Sequence, residues 1–128
     1  MTKVLIVDDL EGVRRMLVYA LEDDYNVIQA ANGLEAISVA QTEQPDIIVM
    51  DLDMPVMDGV EATRTIRGAG YRDVPIVAMT ANAFAEDRAQ CLAVGMDDFL
   101  SKPVEPDRLY STLLRWLRSR SRDGGTPA

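Results

Sequence analysis

Histidine is absent from this 128-residue chain, and cysteine occurs once, at Cys91. The first absence removes the Ser-His-Asp and Cys-His nucleophile schemes and the common imidazole metal sites. The second rules out an intrachain disulfide and a cysteine-based zinc centre, which agrees with a reducing compartment and leaves helix packing as the role expected of Cys91. No apolar run approaches the ~20 residues of a membrane span, and the start MTKVLIVDD lacks the layout of a signal peptide, so no membrane insertion and a cytoplasmic location are expected. Positive charge is also scarce: 13 Lys and Arg face 21 Asp and Glu, for a formal net charge of −8. That balance argues against a nucleic-acid surface, which relies on clustered cations meeting phosphates. Any chemistry here has to come from carboxylates.

What is present is a soluble composition, 48% hydrophobic and 27% charged, at a length that fits one domain with a real core. Apolar runs and helix-like segments alternate five times. Strands are expected at Lys3 to Val7, Asn26 to Ala30, Asp46 to Met50, Val74 to Met79 and Asp98 to Ser101. Between and after them lie segments of helical spacing: Val13, Leu17 and Leu21; Ala36, Ile37 and Ala40; Ala62 and Ile66; Ala85, Ala89, Leu92 and Ala93; Leu109, Leu113, Trp116 and Leu117. Gly33, Gly59 and Gly95 fall near helix ends, and Pro106 suits a first helical turn. Short βα connections force parallel strands with right-handed crossovers, giving a three-layer α/β sandwich. The stretch SRSRDGGTPA after Arg118 lacks apolar periodicity, so residues 1–119 are expected to form the domain and 120–128 a flexible tail or linker.

Residues 47 to 59 read IIVMDLDMPVMDG. The unalternating Ile47, Ile48, Val49 and Met50 suit a strand covered on both faces, yet the strand runs into Asp51. A carboxylate beside a core is costly unless a cation, a proton or hydrogen bonds compensate it. In open α/β sheets the functional crevice lies outside the carboxyl ends of the strands. There strand 1 ends in Asp8 and Asp9, strand 3 in Asp51 and strand 4 in Thr80, while strand 5 runs into Lys102. Taken singly, Asp9 could cap a helix, Thr80 could be an ordinary strand residue and Lys102 a solvated lysine. Their convergence makes those readings weak.

Two carboxylates 4 Å apart repel by ~4 kcal/mol at an effective dielectric near 20, more than one lysine can settle for three acids. An oxygen-only site of this kind suits Mg²⁺. A metal, a lysine and an aspartate able to act as nucleophile are the parts that phosphoryl transfer uses.

The motifs KVLIVDD, DLDMPVMDG, AMTA and FLSKP, in this order at the ends of the expected strands, resemble those of receiver domains of two-component response regulators, over nearly the whole chain. The resemblance implies a flavodoxin-like fold, a five-stranded parallel sheet in order 2-1-3-4-5 flanked by five helices. It implies that Asp51 accepts a phosphoryl group from a histidine on a partner, a histidine kinase or a histidine-containing phosphotransfer protein. Asp8 and Asp9 would hold Mg²⁺ with Asp51 and the backbone carbonyl of Asp53. Lys102, followed by a proline in a cis peptide, would bind a phosphoryl oxygen. Thr80 would move toward the phosphoryl group and Phe99 would turn inward with it, changing the surface of helix 4, strand 5 and helix 5, while small Ala81 leaves access. The resemblance also places Asp53 and Asn82 at positions that in this family tune hydrolysis of the aspartyl phosphate. The chain would be a signalling switch, self-phosphorylating and self-dephosphorylating with Mg²⁺, that controls an effector protein or an output domain.

DLD after a buried strand is also found in aspartate-nucleophile phosphatases of the haloacid dehalogenase type, but Pro55 stands where Thr or Val is needed and the motif lies on strand 3. A calcium loop fails at Pro55 and Val56, and no GxGxxG or GK[ST] is present. A receiver-fold scaffold that binds partners without phosphorylation is the remaining rival. Helix 4, rich in alanine, is expected to be anchored by little buried area and to be easily displaced.

Overall fold

The computed structural model describes residues 2–81 and 85–125. Five strands, β1 (Lys3–Val7), β2 (Asn26–Ala30), β3 (Ile47–Asp51), β4 (Ile76–Thr80) and β5 (Asp98–Ser101), alternate with five helices. These are α1 (Glu11–Leu21), α2 (Gly33–Glu43), α3 (Gly59–Gly68), α4 (Ala85–Val94) and α5 (Pro106–Gly125). All strands are parallel, in the order β2-β1-β3-β4-β5. The order reverses direction beside β1, so β1 and β3 flank the crevice where such sheets bind ligands.

The unbroken apolar strands serve two cores. Leu5, Val7, Ile48, Met50, Ile76 and Ala78 pack with Ala36, Ala40, Ala62, Ile66 and Cys91 of α2, α3 and α4. Their sequence neighbours Val4, Ile6, Ile47, Val49, Val77 and Met79 pack with Leu17, Leu21, Leu109 and Leu113 of α1 and α5. Alternate side chains of a strand point to opposite faces, so a strand covered on both sides must be apolar at every position. Each large side chain so covered contributes about 1.5–3 kcal/mol.

Two strands differ from expectation in frame. β3 begins at Ile47 and β4 at Ile76, and each ends one residue later than expected, taking Asp51 and Thr80 into the ladder as final residues. Pro75 lacks an N–H, so regular pairing of β4 starts after it. On α4 the expected apolar stripe is inverted. Ala89, Leu92 and Ala93 are exposed, Leu92 at 56%, while Cys91 is buried and provides the helix packing expected of it. α5 continues past residue 119 to Gly125.

Two helix starts are fixed by close approach. A Cβ on Gly59 would lie 2.4 Å from the Asp51 carbonyl oxygen, and one on Gly33 would lie 2.6 Å from that of Met57. The Asp58 carboxylate accepts from the Glu61 amide at 2.9 Å and caps α3, as Asn32 caps α2 through the Glu35 amide. These devices hold α3 directly against the end of β3.

Candidate functional site

Asp8 follows β1, Asp51 ends β3, Thr80 ends β4 and Lys102 follows β5, so four parallel strands deliver them to one edge of the sheet. Asp8 is fully buried and Asp51 is 2% exposed, whereas Asp9 is more open. One carboxylate oxygen from each of Asp8, Asp9 and Asp51 lies within 4.8 Å of the others. The Lys102 amine sits 3.1 Å from Asp8 Oδ2 and 3.1 Å from Asp51 Oδ1, bridging two of the three acids. Lys102 thus pairs with two of the three carboxylates, and the donor set is oxygen only, which fits a hard divalent cation such as Mg²⁺.

The local backbone explains why these side chains stay in place. Asp8 Oδ1 accepts from the Leu10 amide at 2.9 Å, and the Asp8 carbonyl accepts from Arg14 at 2.7 Å. Leu10, not Asp9, stands at the N-cap of α1, which leaves the Asp9 carboxylate outside any cap. Asp51 Oδ1 also accepts from the Asp53 amide at 3.3 Å, while the Asp53 side chain is exposed. The Lys102 amide donates to the Thr80 carbonyl at 2.9 Å, and the Lys102–Pro103 peptide is cis.

Burial, and then the Asp8 charge, lift the Asp51 pKa above its ordinary value against the opposing pull of Lys102 and the Asp53 amide. For Lys102 burial works against the charged amine, but hydrogen bonds and charge from Asp51 and Asp8 outweigh it and hold its pKa above the ordinary lysine value. The arrangement is an anionic carboxylate cluster held beside a committed ammonium.

Phe99, in the middle of β5, is partly buried, and the Arg88 guanidinium lies 4.8 Å above its ring. Ala81 is exposed beside Thr80. Asn82 lies outside the described residues. Nothing in the sequence marked Arg14 or Arg88 as neighbours of these residues, because contacts of one side chain with a distant carbonyl or ring leave no periodic trace. Gly59 was legible as a helix end, but not as the contact with Asp51.

Residues 4–114 match the family model described as the response regulator receiver domain. The chain belongs to that family. This receiver domain is 38% identical over 117 residues to the alkaline phosphatase synthesis transcriptional regulatory protein PhoP of Bacillus subtilis, covering 91% of the chain and 48% of PhoP. It is 42% identical over 111 residues to the sensor histidine kinase RcsC of Salmonella typhi, covering 86% of the chain and 12% of the kinase. The chain therefore spans about half of one curated relative and a small part of the other. Among solved structures it is similar to the chemotaxis protein CheY4 of Vibrio cholerae, with 39% identity, a TM-score of 0.86, and coverage of 90% of this chain and 98% of that one. The receiver domain is thus a module of two-component signal transduction, a family whose members are generally phosphoacceptor switches and generally bind Mg²⁺.

Proposed function

We propose that Asp51 receives a phosphoryl group from a phosphohistidine on a histidine kinase or a histidine-containing phosphotransfer protein. The observation that carries this is the buried Asp51 carboxylate sharing one lysine with Asp8 in a three-acid cluster. An Asp51 oxygen attacks phosphorus, the P–N bond breaks, and the histidine nitrogen leaves with its electron pair to be reprotonated from solvent. Asp8, Asp9, Asp51 and the Asp53 carbonyl would hold Mg²⁺, which supplies neutralisation of the oxygens of the transferring group. Lys102 then pairs with a phosphoryl oxygen instead of with the bare carboxylate.

The product adds roughly 1.5 to 2 negative charges at a buried strand end. Thr80 donates its hydroxyl to a phosphoryl oxygen, Phe99 turns inward, and the surface of α4, β5 and α5 changes toward an effector or output domain. Asp53 and Asn82 set the rate at which water removes the group, so the chain turns over nothing but its own aspartyl phosphate. The net charge of −8 speaks against direct nucleic-acid binding. Among the described residues no helix is long and apolar enough to cross a membrane, and a cytoplasmic location accords with a chain that has one cysteine and so no intrachain disulfide. The receiver unit is assigned to residues 1–119, with 120–128 as a flexible tail or linker, into which α5 continues as far as Gly125.

Incubation with Mg²⁺ and acetyl phosphate, or with a phosphorylated histidine kinase, should give a base-labile phosphoryl group that Asp51→Asn abolishes. Equal labelling of that variant would overturn the assignment.

A further inference from the structure

Arg67, in the last turn of α3, lies at the end of the sheet opposite the acid cluster. Its side chain is only 15% exposed. Nε and Nη2 both donate to the Gly95 carbonyl, at 3.0 and 2.8 Å, and Nη1 donates to the carbonyls of Tyr71 and Val74 at 2.8 and 2.7 Å. Nη2 also donates to Asp97 Oδ2 at 3.0 Å. All five N–H donors of a guanidinium are thereby used, four of them on backbone carbonyls. Asp97 is itself tied to the first residue of β4: its amide donates to the Ile76 carbonyl at 2.8 Å, and its Oδ2 accepts from the Ile76 amide at 2.9 Å.

This fastens one end of α4. Gly95, at φ +105°, closes the helix, and a Cβ there would meet Arg67 Cγ and Nε at 3.0 Å. One turn before it Cys91 is buried, and directly after it Met96 is. Toward the acid cluster, Arg88, Ala89 and Gln90 are all exposed, and Arg88 rests on the Phe99 ring. The helix is thus fastened at its C-terminal end by a network of five hydrogen bonds from Arg67, whereas its site-facing half carries the exposed Arg88, Ala89 and Gln90. Thr80 and Ile76 are the two ends of β4, roughly 13 Å apart, so the pivot is anchored to the strand whose other end carries the switch hydroxyl.

We infer that the Arg67–Asp97 clamp makes Gly95 a fixed pivot, so that phosphorylation rotates α4 about its C-terminal end instead of sliding the whole helix. The inference rests on the phosphoacceptor reading. For a ten-residue helix, ~15 Å long, a shift of ~2 Å at the N-terminal end is a rotation of about 8°. Arg67 is a positioning residue: it touches nothing at Asp51 and acts through the α4–β5 turn. Lysine cannot replace it, because a single ammonium cannot reproduce a planar fork spread over four acceptor groups.

The test is amide hydrogen exchange, residue by residue, with and without acetyl phosphate and Mg²⁺. In the wild type, phosphorylation should alter exchange in the first half of α4, through Arg88 and Ala89, and leave Gly95, Met96 and Asp97 within about twofold. In Arg67→Gln the change should spread to residues 93–98 by about tenfold or more, while Asp51 is labelled as in the wild type. Should that variant not fold, Asp97→Asn, which keeps an acceptor but removes the charge, should show the same spread in weaker form. A uniform change from 88 to 97 in the wild type overturns the pivot, as does an Arg67→Gln protein that merely melts earlier with an unchanged pattern. If wild-type Asp51 takes no label, the phosphoacceptor reading itself falls and the pivot falls with it.

Discussion

Replacing Asp51 by Asn should stabilise the metal-free protein while abolishing labelling. Asp8, Asp9 and Asp51 each offer an oxygen within 4.8 Å of the others, and at an effective dielectric near 20 each such pair repels by ~3 kcal/mol. The Lys102 amine, 3.1 Å from Asp51, returns ~5 kcal/mol on the same scale. Two repulsions therefore slightly exceed one attraction, and dehydration of a carboxylate that is 2% exposed adds to the deficit. Asparagine keeps the shape and an acceptor for the Asp53 amide, and Lys102 keeps Asp8. The expected gain is ~1–2 kcal/mol, or a rise of about 3–8 °C in melting temperature for a chain of this size. Urea unfolding in EDTA reads it as a higher midpoint at unchanged slope. Saturating Mg²⁺ should then narrow or reverse the gap, because only the wild type retains the full ligand set and gains stability by mass action. An Asp51→Asn protein less stable than the wild type in EDTA would refute the claim that the acids are under-neutralised.

A pair of identical substitutions should have opposite signs. Gly59→Ala places a methyl 2.4 Å from the Asp51 carbonyl and should cost ~1–3 kcal/mol while slowing labelling, whereas Gly12→Ala in α1 meets nothing within 4 Å and should stabilise by up to ~1 kcal/mol. Equal urea midpoints for the two variants would contradict the close approach at β3. The Tyr110 hydroxyl donates to Asp24 at 2.6 Å, and its oxygen lies 2.8 Å from the Ala20 carbonyl oxygen as an alternative acceptor, joining α5 to α1. That bond to a carboxylate pushes the Tyr110 pKa from 10.0 up to about 12. Because the folded value lies above the unfolded one, the associated stability is complete below pH 10 and is lost as pH rises toward 12. Absorbance titration should show a late phenolate component that disappears in Tyr110→Phe; its persistence would assign the shift elsewhere.

Much of this was legible before any coordinates. Ile47 to Met50 announced a strand covered on both faces because alternation has nowhere to place a polar residue, and the acids after β1 and β3 fall at the crevice end by topology alone. Gly59 read as a helix end, and α3 does begin there, capped by Asp58. α4 misled because alanine is indifferent to exposure: Ala89 and Ala93 share a helical spacing without sharing a buried face, while the lone Cys91 marks the true inner side. Arg67 was invisible for another reason. A basic residue in a last helical turn looks like a solvated partner of the helix dipole, and its acceptors on Gly95 and Asp97 lie 28 and 30 residues away with no shared period.

The hydrogen bond from the Lys102 amide to the Thr80 carbonyl means that the backbones carrying the amine beside Asp51 and the hydroxyl at the end of β4 are tied directly to each other. Strands β4 and β5 are paired at their tips through the residues that would meet the incoming charge. A displacement of either tip is felt by both strands at once. The two are better regarded as a single mechanical part with two chemical fingertips than as independent sensors.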